Sequence, residues 1–495
     1  MHSQNKDYLI NRIRTSSRYK LSGSKTIILD GTRTDDTHLE TIFSVLIKIV
    51  RQQTGHEVQS VRLRDIRLKQ CIGCFHCWNR LPGKCVHSDA GAGLLQDILQ
   101  SDTVIFFSPV VFGGVSSEIK KILERFLPLM LPFFSGADGE TRHYSRYPTV
   151  PRFVGIGVQS APQQKTRQET IACFNLLVGR NAINYHASSY ASEVVCSTNS
   201  HDTLKKHFLD LLARTDRLPP HYTKKDLLQV CVSSASPEPI QTGKKRRALL
   251  ILGSPKIGSR STSAVLGTYL IDRLQQRYGW QTDSFSLKAE LLSDRRGQHK
   301  LCHATDRADL ILLSFPLYVD ALPFLTTKAL EIISSWREVT FAGRKRLCAI
   351  VNNGFPEPQQ NVPALTLCRN FASASDFIWA GGLALGAGEA LLCGHSPCGL
   401  KGGKGLRRLP LLNVIHALNI TTSALAAGQT VPEKAVRLMA QKPVPCVSWA
   451  SWCYFFIKTS NWAWKKEGLK NGLSQQAMLD TPYLDKPNKK NKYYS

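Results

Sequence analysis

Two stretches of this 495-residue chain combine residue types and spacings that could do chemistry. The first reads CIGCFHCWNRLPGKC and sets Cys71, Cys74, Cys77 and Cys85 at CxxCxxCx7C. Four thiolates gathered by short turns are what a cubane iron–sulfur cluster requires. Zinc more often takes two well-separated CxxC knuckles. Structural or redox-active thiols are the competing reading, and the residues leave both open. The second stretch, LLILGSPKIGSRSTS at 249–263, is an apolar run that breaks at Gly253 into a hydroxyl-rich, basic loop before a helical pattern resumes. Free N–H groups at such a helix start, with the helix dipole behind them, hold an anion. Ser254, Ser259, Ser261 and Thr262 add hydroxyl donors, with Lys256 among them. The spacing is neither GxxxxGK[ST] nor GxGxxG, so a monophosphate such as that of FMN suits it better than a triphosphate or a dinucleotide.

Both stretches must be held by a fold, and the apolar runs say which. KTIILDGTRTDDTHLETIFSVLIKIV parallels RRALLILGSPKIGSRSTSAVLGTYLIDRL, and SDTVIFFSPVVFGGVSSEIKKILERF parallels ADLILLSFPLYVDALPFLTTKALEII. PRFVGIGV and KRLCAIVNNGF make a third pair, so one unit is written twice. Continuous apolar runs alternating with amphipathic helices predict parallel strands covered on both faces. The expected class is α/β, with two doubly wound parallel sheets in tandem. Ligands in such sheets bind beyond the carboxyl ends of the strands. The expected divisions are a basic arm at 1–23, a cysteine-bearing domain at 24–215, a linker at 216–245, a second domain at 246–428 and an aromatic, basic extension at 429–495. Residues 380–408 are glycine-dense and read as a loop or lid.

Composition narrows the class. A hydrophobic content of 42% is enough for two cores. The 14 cysteines follow no signal-peptide pattern, because charges from Lys6 to Lys20 interrupt any apolar core, so a reducing cytoplasm is expected. No apolar run reaches the roughly 20 residues of a spanning helix. The net charge is +27, but more than half of it falls in 1–23, 216–247 and 429–495. That distribution, without a zinc-finger, helix-turn-helix or RNA-recognition pattern, argues against nucleic acid as the partner. No GxSxG elbow points to a hydrolase. Four of the eight tryptophans lie between Trp449 and Trp464, among lysines. Such a segment suits peripheral membrane contact, although a helix completing the core of the second domain is the preferred expectation. Cys393, His395 and Cys398 fall short of a complete metal site. His76 and His143 read as structural, with proton donation the alternative.

GSPKxGSxST after a strand resembles the flavin phosphate loop of the flavodoxin-like NADPH-dependent FMN reductases. SPVVFGG at 108–114 resembles the flavin loop of that family, and SFPLYVD at 314–320 and NNGFPE at 352–357 look like its isoalloxazine loops. The cysteine spacing is similar to that of iron–sulfur flavoproteins in the same superfamily. The resemblance implies FMN on Ser254, Lys256, Ser259, Ser261 and Thr262, with Pro316, Leu317, Tyr318 and Val319 as an apolar wall. Asn353, Gly354 and Phe355 would face the polar edge of the ring. In the first domain it implies flavin contacts from Ser108, Pro109, Val110, Phe112 and Gly113. There, however, Asp35 and Asp36 lie where a phosphate would sit and would repel it, so this half either binds flavin with a different phosphate geometry or has lost it, and the intact ring loop favours retention. The implied activity is NAD(P)H-dependent reduction of FMN and transfer of electrons to a small acceptor, with one [4Fe–4S] cluster on the cysteines if they hold one. An electron-transfer protein and a partly decayed scaffold are the alternatives. Relatives that build the flavin site across a dimer imply either a homodimer or a pseudo-dimer within the chain.

Overall fold

The strands are β1 (Lys25–Asp30), β2 (Glu57–Arg62), β3 (Thr103–Pro109), β4 (Met130–Ser135), β5 (Arg142–Ser145), β6 (Arg152–Gln159), β7 (Tyr190–Cys196), β8 (Arg247–Leu252), β9 (Gln281–Ser286), β10 (Leu310–Pro316), β11 (Lys345–Asn352) and β12 (Phe377–Leu385). They come from a computed structural model that describes residues 24–55, 57–136, 139–160, 164–237, 245–255, 261–340, 343–388, 409–442 and 446–484. Ten of them form two five-stranded sheets, in the orders β2-β1-β3-β6-β7 and β9-β8-β10-β11-β12. Every pairing within both is parallel. Each order is the flavodoxin-like 2-1-3-4-5.

The central strands β1, β3 and β6 of the first sheet are buried on both faces, which is why they are continuous apolar runs. Alternate side chains point to opposite faces. Ile27, Leu29, Val104 and Phe106 meet the Ser117–Glu124 and Gln164–Asn184 helices. Ile28, Ile105 and Phe107 meet the Glu40–Thr54 and His201–Ala213 helices. A polar residue on either face would lose this burial, worth about 1.5–3 kcal/mol per large side chain.

The two units meet through equivalent helices, Ser117–Glu124 against Phe324–Val339 and Gln164–Asn184 against Val362–Ala374. The strand-end loops repeat the same turn, with Val111 bridged to Gly114 and Tyr318 to Ala321. Positive φ falls at matching places, Phe112 and Gly113 in one unit and Val319 and Asp320 in the other. Glu331 accepts from the N–H (2.9 Å) and hydroxyl (2.7 Å) of Ser117, and Glu124 accepts from the N–H of Phe324 (2.6 Å). Each glutamate thus caps the first turn of the equivalent helix in the other unit, the reciprocity of a two-fold interface.

Three expectations about the rest of the chain need correction. Residues 216–245 contain a helix, Lys224–Cys231, with a complete Thr223/Asp226 capping box, and Leu227, Val230 and Cys231 join the core of the second unit. Residues 380–385 are the end of β12. Glycine there is structural: Gly381 has φ +111°, and a Cβ would lie 2.6 Å from the Cys231 carbonyl oxygen. The Trp449–Lys470 helix does not simply complete the second core. It lies on the β4–β5 hairpin, where the Asn461 amide takes the N–H (2.7 Å) and gives to the C=O (3.0 Å) of Phe134. Amide-to-backbone pairing of this kind is invisible to hydrophobic patterning. The second core instead takes Ala435, Val436 and Met439 from the Glu433–Met439 helix.

Candidate functional site

In the second unit the loops after β8, β10 and β11 come together at the carboxyl edge of adjacent strands. Gly253 turns the chain out of β8, its N–H on the Ser314 carbonyl (2.9 Å); a Cβ there would sit 2.1 Å from Thr326 Oγ1. The Thr262–Tyr278 helix then starts at Ser261, whose hydroxyl accepts from the Ala264 N–H (3.1 Å). The N–H groups of Thr262 and Ser263 stand ahead of the first intrahelical bond and meet no acceptor among the described residues, the position in a helix start that can bind an anion. Lys256 and Ser259 lie outside the described residues; Ser254, at the loop entrance, is hydrogen-bonded within the protein. Ser263 donates to the Asn352 side chain (2.8 Å), Thr262 to the Gly388 carbonyl (3.3 Å), and the Gly388 N–H to the Asn353 carbonyl (2.9 Å). These bonds tie the loop after β8 to the loop after β11.

Pro316, Leu317, Tyr318 and Val319 are all half-buried beside them, Leu317 packed against the core of the second unit and Val319 against that of the first. Leu317 is fixed by its N–H on the Asn352 carbonyl (2.7 Å). Asn353 is buried, its side chain giving to the Glu357 carbonyl (2.9 Å) and taking the Phe355 N–H (3.1 Å). Gly354 is exposed, with nothing within 4 Å of where its Cβ would be. Of the three residues read as the polar edge, Asn353 and Phe355 shape the loop, and Gly354 presents open backbone.

The equivalent loop of the first unit is filled from within. The Asp36 carboxylate takes the Arg33 N–H (2.7 Å) and the Arg33 guanidinium, while Asp30 takes the Thr32 N–H (2.9 Å). Burial pushes the Asp36 carboxyl up, but the hydrogen bonds from Arg33 outweigh it and hold the group below its usual range. The Thr32 hydroxyl is held by Arg64. Ser108 is buried between the Pro109 carbonyl and the Ser116 N–H (2.7 and 2.8 Å). Pro109 ends β3, and Val110 is pinned to the Val158 carbonyl (2.9 Å). Phe112 packs edge-on to Phe371, its carbonyl taking the Asn370 amide (2.8 Å), and Gly113 faces Asn370 and Cys173. This loop is engaged with the second unit.

Cys71, Cys74, Cys77 and Cys85 line one cavity with Glu124 and Arg125. Left-handed backbone at Gly73 and Phe75 folds the segment so that the thiols converge, and the Gly73 N–H points at Cys71 Sγ (3.4 Å). Arg125 clamps the segment from below, giving two bonds to Asp89 (2.8 and 2.9 Å) and one to the Lys69 carbonyl (2.7 Å). Burial pushes the Cys71 thiol up to about 12, with Glu124 adding to it, and raises Cys77 well above its ordinary value. Unmetallated, these two thiols are neutral at physiological pH. Every described cysteine is free. Among the described residues no three potential ligands are close enough to share one metal ion. Four free thiols around one cavity, with a backbone N–H on sulfur and a guanidinium alongside, suit a cluster of several irons better than a mononuclear site.

Sequence reasoning missed what joins the two sites. The buried Lys120 ammonium lies 3.4 Å from Glu124 and donates to the Tyr318 carbonyl, so the pair stands between the cysteine cavity and the apolar wall of the other unit. Burial lowers the Lys120 pKa and raises that of Glu124. Beside it runs an aromatic series in which Phe75 stacks on Trp78 (5.0 Å), Trp78 meets His143 (4.7 Å) and His143 meets Phe355 (5.6 Å). Burial drives His143 down to about 4, so it is neutral and structural in kind. The hairpin closes over the ring-edge loop, Thr141 giving its N–H (3.1 Å) and hydroxyl (2.8 Å) to Glu357. The Lys120–Glu124 pair has a local signature, a spacing of four on one helix; the contacts between the units have none.

Residues 25–143 match the model of the family described as NADPH-dependent FMN reductase. The match falls in the first unit, across the filled loop, the flavin-loop counterpart and the cysteine segment. The chain is 37% identical over 81 residues to an iron–sulfur flavoprotein of Methanocaldococcus jannaschii, covering 16% of this chain and 41% of that protein. It is 28% identical over 83 residues to an iron–sulfur flavoprotein of Archaeoglobus fulgidus, covering 16% and 40%. The chain thus spans about 41% of the length of the first of these relatives. A structure described as a putative quinone reductase from Klebsiella pneumoniae aligns at 16% identity with a TM-score of 0.29, covering 40% of this chain and 87% of that one.

Proposed function

We infer that the protein is an NAD(P)H-dependent FMN oxidoreductase that holds one flavin in its second unit and passes electrons to a small acceptor. The observation that carries this is the contrast between the two strand-end loops. In the second unit the Thr262 and Ser263 N–H groups and a half-buried wall stand ready; in the first, Asp30 and Asp36 take the loop donors. FMN, when bound, supplies a centre that accepts a hydride and releases electrons singly.

The residues of the chain bind and orient. The helix start at Ser261 would hold the phosphate, and Leu317, Tyr318 and Val319 would flank the ring. Backbone at Gly354 would face the polar edge, where donors stabilise developing negative charge. The β4–β5 hairpin, fixed by Thr141 on Glu357, excludes water from one side. The four cysteines fit a [4Fe–4S] cluster, which the similarity to iron–sulfur flavoproteins supports. Lys120 and Glu124 then fix the distance between the two centres. Pairing of the two units inside one chain takes the place of a homodimer in this reading.

No helix among the described residues is long and apolar enough to cross a membrane. The outer face of the Trp449–Lys470 helix leaves Tyr454 and Trp462 more than 60% exposed, with Lys458 and Lys466 over their rings. That pattern supports peripheral contact with an anionic membrane surface. The activity is tested by anaerobic NADPH titration of FMN-reconstituted protein. Bleaching of the flavin band is the expected result, and an unchanged spectrum would overturn the assignment.

A further inference from the structure

The two units are built alike, yet differ at the end of the sheet opposite the candidate flavin site. In the first unit Lys25 opens β1, its N–H on Asp102 (2.9 Å), and Asp97 bridges Lys25 (3.7 Å) and Gln59 (3.2 Å). In the second, Arg247 opens β8, its N–H on Asp309 (2.8 Å), and Asp283 takes the place of Gln59 in register. Buried Leu94, Leu95 and Ile98 correspond to buried Leu301, Cys302 and Thr305, which puts Ala304 where Asp97 stands. Loss of that carboxylate leaves an open groove of about 460 Å³ between the β8–β9 edge and the Arg295–Arg307 helix.

Successive turns of this helix present His299, His303 and Arg307 to the groove, with Lys300 beside them and Arg247 opposite. The imidazoles are held edge-on to Trp336, at 5.3 and 5.2 Å. Asp283 is the one carboxylate lining the groove, and it pairs with Arg247 (3.4 Å). Lys300 and Arg307 have no ion-pair partner among the described residues. Leu249, Phe285 and Ala304 make an apolar floor. The volume falls within the range of small-ligand sites, about 300–1,000 Å³. Unneutralised cations converging on such a cavity select a compact multivalent anion.

We propose that this groove binds a small molecule bearing a di- or polyphosphate, at a site separate from the flavin. The site is independent of the redox reading. The test is calorimetric titration of FMN-loaded full-length protein with sodium pyrophosphate at low ionic strength. Saturable binding is expected, weakened about tenfold or more by Ala304→Asp, which restores the carboxylate of the first unit, and by Arg307→Gln, an exposed change that leaves the core intact. Lys206→Glu, an exposed charge change on the first unit, controls for bulk electrostatics and should leave binding within about twofold. Absence of binding by the parent protein, or equal weakening by all three variants, would overturn the proposal. NADPH-driven bleaching is expected to be unchanged in Arg307→Gln, which separates this outcome from the fate of the redox assignment.

Discussion

The Glu331 carboxylate of the second unit accepts both the N–H and the hydroxyl of Ser117 in the first, and Glu124 returns the contact at Phe324. Two helix starts that would otherwise bury unpaired donors are satisfied only when the units are docked. Glu331→Ala should therefore cost about 3 kcal/mol and separate the thermal unfolding of the two units. Calorimetry checks this; a single transition at the parental midpoint would contradict it.

The same residue gives a pH signature. Burial pushes the Glu331 carboxyl above its usual 4.5, with Arg33 and Lys328 opposing it. A raised carboxyl favours the protonated fold, so its contribution is full below the unfolded value and is lost as pH rises toward the folded one. Glu331→Gln, which is neutral at every pH, should thus compare more favourably with the parent at pH 7 than at pH 4.5 in paired melting curves. The opposite ordering would refute the assigned environment.

Asp89 behaves the other way. Burial raises its pKa, but the hydrogen bonds from Arg125, Lys69 and Gly91 prevail and hold it below 3.8. Its stabilisation is present above the unfolded value and lost as pH falls through the folded one. Because it closes the cysteine segment, Asp89→Asn should cost about 3 kcal/mol and speed thiol labelling of Cys71 and Cys77 in metal-free protein. Unchanged labelling would contradict the clamp.

The two strand-end loops predict asymmetric flavin binding. Ser254→Ala with Thr262→Ala should lower FMN affinity about tenfold or more, because the Thr262 hydroxyl on the Gly388 carbonyl helps to hold the loop that presents the Thr262 and Ser263 N–H groups. Thr32→Ala with Thr37→Ala should change it little, since Asp36 and Arg64 already occupy that loop. Equal losses, read by fluorescence titration, would sink the asymmetry.

Trp464 lies 5.6 Å from Phe75 and 5.2 Å from Trp78. Trp464→Ala should therefore loosen the cysteine segment by about 2–3 kcal/mol and raise amide exchange across residues 71–85.

The three central strands of each sheet and their end loops were legible because burial on both faces writes continuous apolar runs, whereas the edge strands β2 and β9 are largely polar and left no such run. Asp36 was legible as a charge in the loop after β1, but its pairing with the Arg33 N–H and guanidinium was not. The Lys224–Cys231 helix could have been found from Thr223-Lys-Lys-Asp226, but proline and charge around it masked the capping box. Glycines 381 and 382 suggested a loop because composition does not distinguish freedom from close backbone approach. The reciprocal glutamates and Asn461 on Phe134 depend on residues far apart in sequence, and no period records them; Lys120 and Glu124 are four apart on one helix, but their burial and the bond to the Tyr318 carbonyl are not written in that spacing.

The central claim is best tested by the absorption spectrum of protein purified without oxygen, with flavin, iron and sulfide counted per chain. One FMN with about four iron and four sulfide is the predicted result. Absence of flavin even after reconstitution would contradict the account.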